Sequence, residues 1–383
     1  MKKIIYVINV DWYFKLHWLN RAVAAQRNGY RITVATHFTS VKNQEYFESL
    51  GFTCLDVDFS RSGLNPFHEI RTVFTLYRLL KRHEPDLVHC ITIKPSIYGG
   101  LVSGLLKVPS IKSITGLGAV FSSNSYRFRV LRPLIIGLYY LVGQANKGAF
   151  IFENKQDLNI FKRSEIGRNQ ALIHIGGAGV DTSRFYPTSK PLDNLRTNKK
   201  LSVLFAARLL KDKGLDTLIS AVKRLQDSDI VVELWVAGLF DLSSRNAYSY
   251  EEVEQLSNEG TIKWLGSVNG DAMASVLNKV DVVALPTRYG EGIPRILIEG
   301  GATGRIVIAS NVSGCNELLT DGVNGRLLSP MDAEEWRACI CDIISDPCTY
   351  QHYANKLLHE VRTVYSDNMV ISKFLHIYKQ YSK

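Results

Sequence analysis

The sequence predicts an α/β chain made of two successive doubly wound units, each a parallel sheet with helices on both faces. Three observations lead there. Short runs rich in β-branched residues alternate with segments of helical periodicity from end to end. Most of those runs are apolar at consecutive positions, as strands covered on both faces must be. The alternation stops once, at a polar, proline-bearing stretch, and then restarts. A length of 383 residues also suits two cores better than one.

Taken in order, the first strands are expected at Ile4–Val10, Ile32–His37, Thr53–Phe59, Leu87–Ile93, Ser110–Thr115, Ala149–Phe152 and Ala171–Ile175. Helical periodicity is clearest in Phe67–Arg82 and Val130–Lys147. The break is Pro187-Thr-Ser-Lys-Pro-Leu-Asp-Asn-Leu-Arg-Thr-Asn-Lys-Lys200. Strands resume at Leu201–Ala207, Val231–Ala237, Thr261–Leu265, Val282–Pro286, Ile306–Ala309 and Arg326–Leu328. The expected domains are therefore 1–187 and 201–365 with a linker at 188–200. The amphipathic C-terminal segment 366–383 is expected to return to the first domain. Doubly wound sheets bind ligands outside the carboxyl ends of their strands, so the site is expected in a cleft between the two.

Charge divides the chain unequally. Residues 1–190 hold 25 Lys/Arg against 12 Asp/Glu, and residues 191–383 hold 21 against 24. The stretch 101–150 has six basic residues and no acidic ones. A basic first half implies an anionic partner. In Tyr126-Arg-Phe-Arg-Val-Leu-Arg132-Pro-Leu-Ile-Ile-Gly-Leu-Tyr-Tyr140, arginines mix with aromatic and aliphatic residues, which suits an anionic membrane interface. Nucleic acid is not the expected partner, because no aromatic platform is interleaved with the cations.

The six cysteines show no Cys-x-x-Cys spacing and read as reduced thiols in a cytosolic protein. The apolar start Ile4–Val10 ends at Asp11 without a cleavage site, which is a strand rather than a signal peptide. No run approaches the ~20 apolar residues of a membrane span. Asp56-Val-Asp58 has no companion ligands, so no metal is expected.

The candidate chemistry lies in Arg288-Tyr-Gly-Glu291-Gly292-Ile293-Pro294-Arg295-Ile-Leu-Ile-Glu299-Gly-Gly-Ala-Thr-Gly304. Pro294 suits the first turn of a helix. That puts Glu291 in the loop at the helix mouth and Glu299 about a turn and a half inside. Free N–H groups at such a mouth can hold a phosphate, and carboxylates there can accept hydrogen bonds from sugar hydroxyls. Phosphate, ribose and a second sugar together describe a nucleotide-sugar. Arg208 and Lys213 follow the first strand of the second half, where both could reach its diphosphate. In the first half, His89 and Lys94 stand near a strand end and Thr115-Gly116-Leu-Gly118 follows another. Gly176-Gly-Ala-Gly179-Val-Asp181 lies at the junction, and Glu317 in Gly314-Cys-Asn-Glu317 is an auxiliary candidate.

These residues together resemble the retaining, two-domain glycosyltransferases of family 4. The carriers are Arg208 with Lys213-Gly214, Glu291-Gly-Ile-Pro294 with Glu299, Gly314 with Glu317 and Gly322-Val-Asn-Gly325, and Gly179-Val-Asp181 with Phe185 and Pro187. Phe59-Ser-Arg-Ser-Gly-Leu-Asn-Pro-Phe67, Thr92-Ile-Lys-Pro95 and Ile114-Thr-Gly-Leu-Gly118 look like the CapM/PglA-type subgroup, which extends undecaprenyl-diphosphate-linked saccharides. The resemblance implies the GT-B fold, two Rossmann-like domains facing each other across a cleft. It implies that Arg208 and Lys213 bind the donor diphosphate, Glu299 the ribose and Glu291 the donor sugar, with Gly292, Ile293, Pro294 and Arg295 lining the donor.

The chain departs from the family in two places. Asp11-Trp-Tyr-Phe-Lys-Leu-His17 stands where many members have paired glycines, and Thr115-Gly116 where several have a histidine. His17, His89, Lys94, Thr115 and Gly116 are therefore the candidates for acceptor or sugar contacts. The expected partners are a UDP-sugar, a lipid-diphosphate saccharide and the inner face of a bacterial membrane. A UDP-sugar epimerase of the same fold and a basic nucleic-acid-binding protein are the alternative readings.

Overall fold

The computed structural model describes residues 1–59, 66–117, 121, 126–145, 147–225, 230–241, 244, 246–268, 270–290 and 292–382. The chain divides into two compact units. One comprises Met1–Ala178 with Asn368–Lys383, and the other Gly179–Asp367.

In the first unit, strands β1 (Lys2–Val10), β2 (Tyr30–His37), β3 (Thr53–Asp56), β4 (Leu87–Ile91), β5 (Ser110–Ile114), β6 (Gly148–Phe152) and β7 (Ala171–His174) form one sheet. Their order is β3-β2-β1-β4-β5-β6-β7 and all pairs are parallel. In the second unit, β8 (Lys200–Ala206), β9 (Val231–Ala237), β10 (Lys263–Trp264), β11 (Val282–Leu285), β12 (Ile306–Ser310) and β13 (Arg326–Leu328) are ordered β10-β9-β8-β11-β12-β13, again parallel. Each strand lies within or overlaps an expected run. The central ones are buried at every position, because helices cover both faces.

Three boundaries differ from the sequence reading. β4 ends at Ile91, and Thr92, at φ +74°, turns directly into the helix Ile93–Leu105, which puts Lys94 inside a helix rather than in a loop. β1 passes straight into the helix Asp11–His17. The buried Asp11 carboxylate holds that corner by accepting from the N–H and hydroxyl of Thr39 and from the Asn43 amide. Residues 188–200, expected as a linker, are instead bound to the second unit. Asn278 accepts from the Thr188 N–H at 2.8 Å, Asp281 accepts from the Leu192 N–H at 2.7 Å, and Asp193–Asn198 is helical. Polar composition marked the segment as a loop, but its N–H groups found carboxylate and amide partners.

The C-terminal helix Asp367–Tyr381 completes the first unit. Val370, Phe374, Ile377 and Tyr378 enter the core beside Trp18, Tyr6 and Ile91. Inside that core the Tyr6 hydroxyl donates to Tyr378 at 2.9 Å. The Tyr378 oxygen lies 2.9 Å from His89 Nδ1, and His89 Nε2 lies 2.8 Å from Ser113 Oγ. Burial holds the imidazole pKa well below its ordinary value, with the charge of Arg21 acting the same way. The ring is therefore neutral, accepting at Nδ1 and donating from Nε2. Another polar group is buried nearby: Lys112 donates to the Ser110 carbonyl and to Gln170 Oε1, and burial pushes its ammonium down to about 7.

Candidate active site

The strand order of the second unit reverses between β8 and β11, the position where doubly wound sheets bind ligands. The loops leaving these two strands are tied together by their backbones. After β8 comes a turn of 3-10 helix, Lys211–Lys213, and then Gly214 at φ +82°, opening the helix Leu215–Lys223. A Cβ on Gly214 would stand 2.1 Å from the Pro286 carbonyl oxygen at the end of β11, so only glycine permits this approach. The Arg288 N–H donates to the Asp212 carbonyl at 2.8 Å, and the Arg288 guanidinium pairs with Asp216.

This junction fixes Lys213. Its side chain is only 5% exposed, and its ammonium sits 4.6 Å from the centre of the Tyr289 ring. Arg208, nearer the end of β8, is 43% exposed and pairs with Asp241 at 3.0 Å. Asp241 lies beyond β9. Its loop lies along the Arg208 loop, because the Ala207 and Leu209 N–H groups donate to the Ala237 and Leu239 carbonyls.

Beyond β11 the chain reaches the helix Arg295–Ala302. Pro294 stands just before its first turn, as the cap, in extended conformation (φ −62°, ψ 125°), rather than within the turn as its residue type suggested. Pro294 supplies no side-chain cap to this helix, and Gly292, Ile293 and Pro294 are buried. Glu299 is 7% exposed and receives a 2.6 Å hydrogen bond from Arg295 Nε. Burial raises its pKa, while Arg295 and, more weakly, Arg184 oppose the shift. Glycine makes that burial feasible. A Cβ on Gly300 would stand 2.9 Å from Val283, and one on Gly301 would stand 2.8 Å from Leu357. The small-residue surface after Glu299 thus packs the helix onto β11 and onto Pro347–Val364. Glu291 lies outside the described residues.

The second unit thus gathers Lys213, Tyr289 and the Gly292–Glu299 segment around two adjacent strand ends, with Arg208 at the rim. The cations and the helix mouth offer an anionic ligand charge neutralisation, and the buried carboxylate offers an acceptor for its hydroxyl groups.

The candidates of the first unit are not gathered in this way. His89 lies mid-strand in the core with both ring nitrogens bonded, which corrects its assignment to a strand end facing ligand. Lys94 Nζ donates to Glu69 at 2.6 Å, and Glu69 also accepts from the Tyr98 hydroxyl at 2.6 Å. Thr115 and the half-buried Gly116 follow β5, with Gly116 at φ +138° and the next N–H donating to Asp157. His17 ends its helix with its ring 4.4 Å from that of Tyr13. Asp56 and Asp58 engage His37 and His68. Sequence reasoning missed Asp241, Tyr289 and Arg184. Tyr289 sits inside the motif and could have been read there. Asp241 is 33 residues from its partner Arg208, with no local pattern joining them.

Comparison with known proteins follows the same division. Residues 3–144 match the family described as glycosyl transferase 4-like, and residues 190–357 match glycosyl transferases group 1. The chain is 24% identical over 357 residues to the N,N'-diacetylbacillosaminyl-diphospho-undecaprenol alpha-1,3-N-acetylgalactosaminyltransferase of Campylobacter jejuni, covering 90% of this chain and 91% of that one. Among solved structures, Anabaena Alr3699/HepE in complex with UDP superposes with a TM-score of 0.77 at 18% identity, covering 99% of this chain and 100% of the other. The sucrose-phosphate synthase of Thermosynechococcus elongatus gives 0.78 at 15% identity, with 99% of both covered. At these identities the likeness is one of fold. From its two matched halves and their common architecture, the chain belongs to the glycosyltransferases of the group 1 and 4-like type and is a transferase with the GT-B fold.

Proposed function

We propose that this enzyme transfers a hexose or N-acetylhexosamine from a UDP-sugar to an undecaprenyl-diphosphate-linked sugar, with retention of the anomeric configuration. UDP-N-acetylgalactosamine and an α linkage are the first choice. The product would belong to bacterial O-antigen, capsule or related glycan assembly, made at the inner face of the cell membrane. The buried Lys213 carries the reading. Its ammonium, buried beside the Tyr289 ring where the strand order reverses, is a fixed positive charge at the place where doubly wound sheets take their ligands, and a donor diphosphate suits it. The Campylobacter jejuni relative supports the lipid-linked acceptor and the choice of sugar.

In this scheme Lys213 and Arg208 meet the donor diphosphate, the latter by exchanging Asp241 for phosphate oxygens. The helix mouth before Arg295 adds backbone dipoles. Glu299 accepts from the ribose hydroxyls, and Glu291 faces the donor sugar. The bond from the anomeric carbon to the diphosphate breaks, leaving an oxocarbenium-like sugar and a departing UDP. Preorganised cations stabilise the charge that develops on the leaving group, usually the largest catalytic contribution. The acceptor hydroxyl oxygen bonds to the same face of the sugar, and its proton passes to the departing diphosphate. The scheme requires no metal.

A screen of UDP- and GDP-sugars against a short-chain lipid-diphosphate saccharide tests the proposal, with the product anomer read by NMR. Transfer of N-acetylgalactosamine in α linkage is expected. Conversion of UDP-N-acetylglucosamine without any acceptor would replace the reading with an epimerase.

A further inference from the structure

We propose that the outer stripe of the helix Pro66–His83, together with Leu105, is the surface on which this enzyme rests against an anionic lipid bilayer. The inference rests on the membrane-side reading above and names its contact. At ~100° per residue, Phe67, Ile70, Arg71, Phe74, Arg78 and Lys81 fall within an arc of about 100°. Three large apolar side chains on that arc lie in solvent: Phe67 is 84% exposed, Ile70 67% and Phe74 52%. Leu105, at the end of the helix Ile93–Leu105, is 74% exposed. Ile70, Phe74 and Leu105 border an open apolar groove of about 390 Å³ floored by Val73, Tyr77 and Val102. A soluble surface rarely leaves such a set uncovered.

The charges on the arc choose the occupant. Arg71, Arg78 and Lys81 are exposed, and Arg78 lies over the Phe74 ring at 4.5 Å. Of the acids beside the first turns of the helix, Glu69 is engaged by Lys94 and Tyr98, and Asp58 by His68; Glu84, just past its end, falls outside the arc. Aromatic and aliphatic groups alternating with cations on one exposed helix face are what a headgroup layer accepts, with rings in the acyl boundary and cations on phosphates. A second copy of the chain fits less well. A two-fold contact through this stripe would bring Arg71, Arg78 and Lys81 against their own equivalents. The helix Tyr126–Ala145, basic and aromatic in sequence, also exposes Tyr126, Val130, Leu134, Tyr140 and Leu141 and is the competing surface. It supplies the control.

Sedimentation of the full chain with vesicles tests the surface, comparing phosphatidylcholine alone with a phosphatidylglycerol mixture. Binding is expected to the anionic vesicles only and to weaken with salt. The double variant Ile70→Asp/Phe74→Asp should bind at least ten-fold more weakly while keeping its melting temperature and its transfer to a water-soluble acceptor. Val130→Asp/Leu134→Asp should bind as the parent does. Several results overturn the proposal: a parent that ignores anionic vesicles, an Ile70/Phe74 variant that binds undiminished, loss of binding through Val130/Leu134 instead, or a parent dimer that the Ile70/Phe74 variant dissociates. Vesicle binding that survives in a chain transferring no sugar from any donor would sink the functional reading and leave the surface standing.

Discussion

The two sheets are ordered alike about their centres, β2-β1-β4-β5 in the first unit and β9-β8-β11-β12 in the second, yet their equivalent strand ends do opposite things. Where β8 and β11 end, backbone bonds hold the loops in place and Lys213 and Arg208 are gathered beside a helix mouth. Where β1 and β4 end, the chain enters helices at once, and the polar groups nearby are bonded to neighbours: Asp11 to Thr39 and Asn43, Lys94 to Glu69. One architecture thus carries a cluster of cations at the strand ends of one unit and a closed corner of bonded polar groups at those of the other. What separates them is the connection: the loop after β8 carries Arg208 and Lys213 before its helix starts at Leu215, whereas after β1 and β4 the helices start at Asp11 and Ile93 with no such loop.

The largest effect expected from that contrast is on Lys213. Lys213→Ala should lower kcat by about 10²–10³-fold, as losing one preorganised electrostatic group does, with a much smaller change in donor affinity. Stopped assays with equilibrium UDP titration separate the two, and unchanged turnover would remove Lys213 from the chemistry.

Glu299→Gln should weaken donor binding by about 10–100-fold, the range of a charge-assisted hydrogen bond. It should also change the pH dependence of stability. Burial raises the folded carboxyl above its ordinary 4.5, so the folded chain holds this proton to higher pH than the unfolded chain does. The stability of the neutral form is full below 4.5 and is lost as pH rises through the folded value. The glutamine variant has no such loss. Its melting temperature should gain on the parent across that window, and parallel melting curves would show that Arg295 fully offsets the burial.

In the first unit the same kind of change should affect folding rather than chemistry. Tyr378→Phe strips the hydroxyl that joins Tyr6 to His89 and should cost about 1–3 kcal/mol. Denaturant unfolding measures the cost, and kcat and donor KM should not move. An altered donor KM would mean that the core chain reaches the catalytic unit.

Asp241→Asn should have the smallest effect. The Arg208–Asp241 pair is partly exposed, so releasing Arg208 is worth under about 1 kcal/mol. UDP should bind up to about five-fold more tightly by calorimetry. Weaker binding would show that Asp241 orients Arg208 rather than competing for it.

How much of this was legible in the sequence follows from distance along the chain. The strands were readable because a doubly covered sheet writes its burial into consecutive β-branched residues such as Val282-Val-Ala-Leu285. The helix Arg295–Ala302 and the burial of Glu299 within it were readable because the glycines and proline around them have local backbone reasons to be there. His89 was misplaced because the groups that satisfy it, Tyr378 and Ser113, lie 289 and 24 residues away. Lys94 was put in a loop because Pro95 marks a break in most contexts, whereas here it occupies the first turn of a helix. Residues 188–200 carry a loop's composition, and only the fold shows that Asp281 and Asn278 receive them.

The last helix belongs to the first unit, and this places a delay in the making of the protein. A ribosome finishes residues 1–178 early, but Phe374 and Tyr378, which close that unit's core, are added only after the whole of the second unit. At ~5–20 residues per second the first unit waits roughly 10–40 s for its final helix. The second unit, continuous from Gly179 to Asp367, can fold as soon as it emerges. The nascent chain therefore matures in reverse order, and a stop codon ahead of Phe374 would strand the half made first.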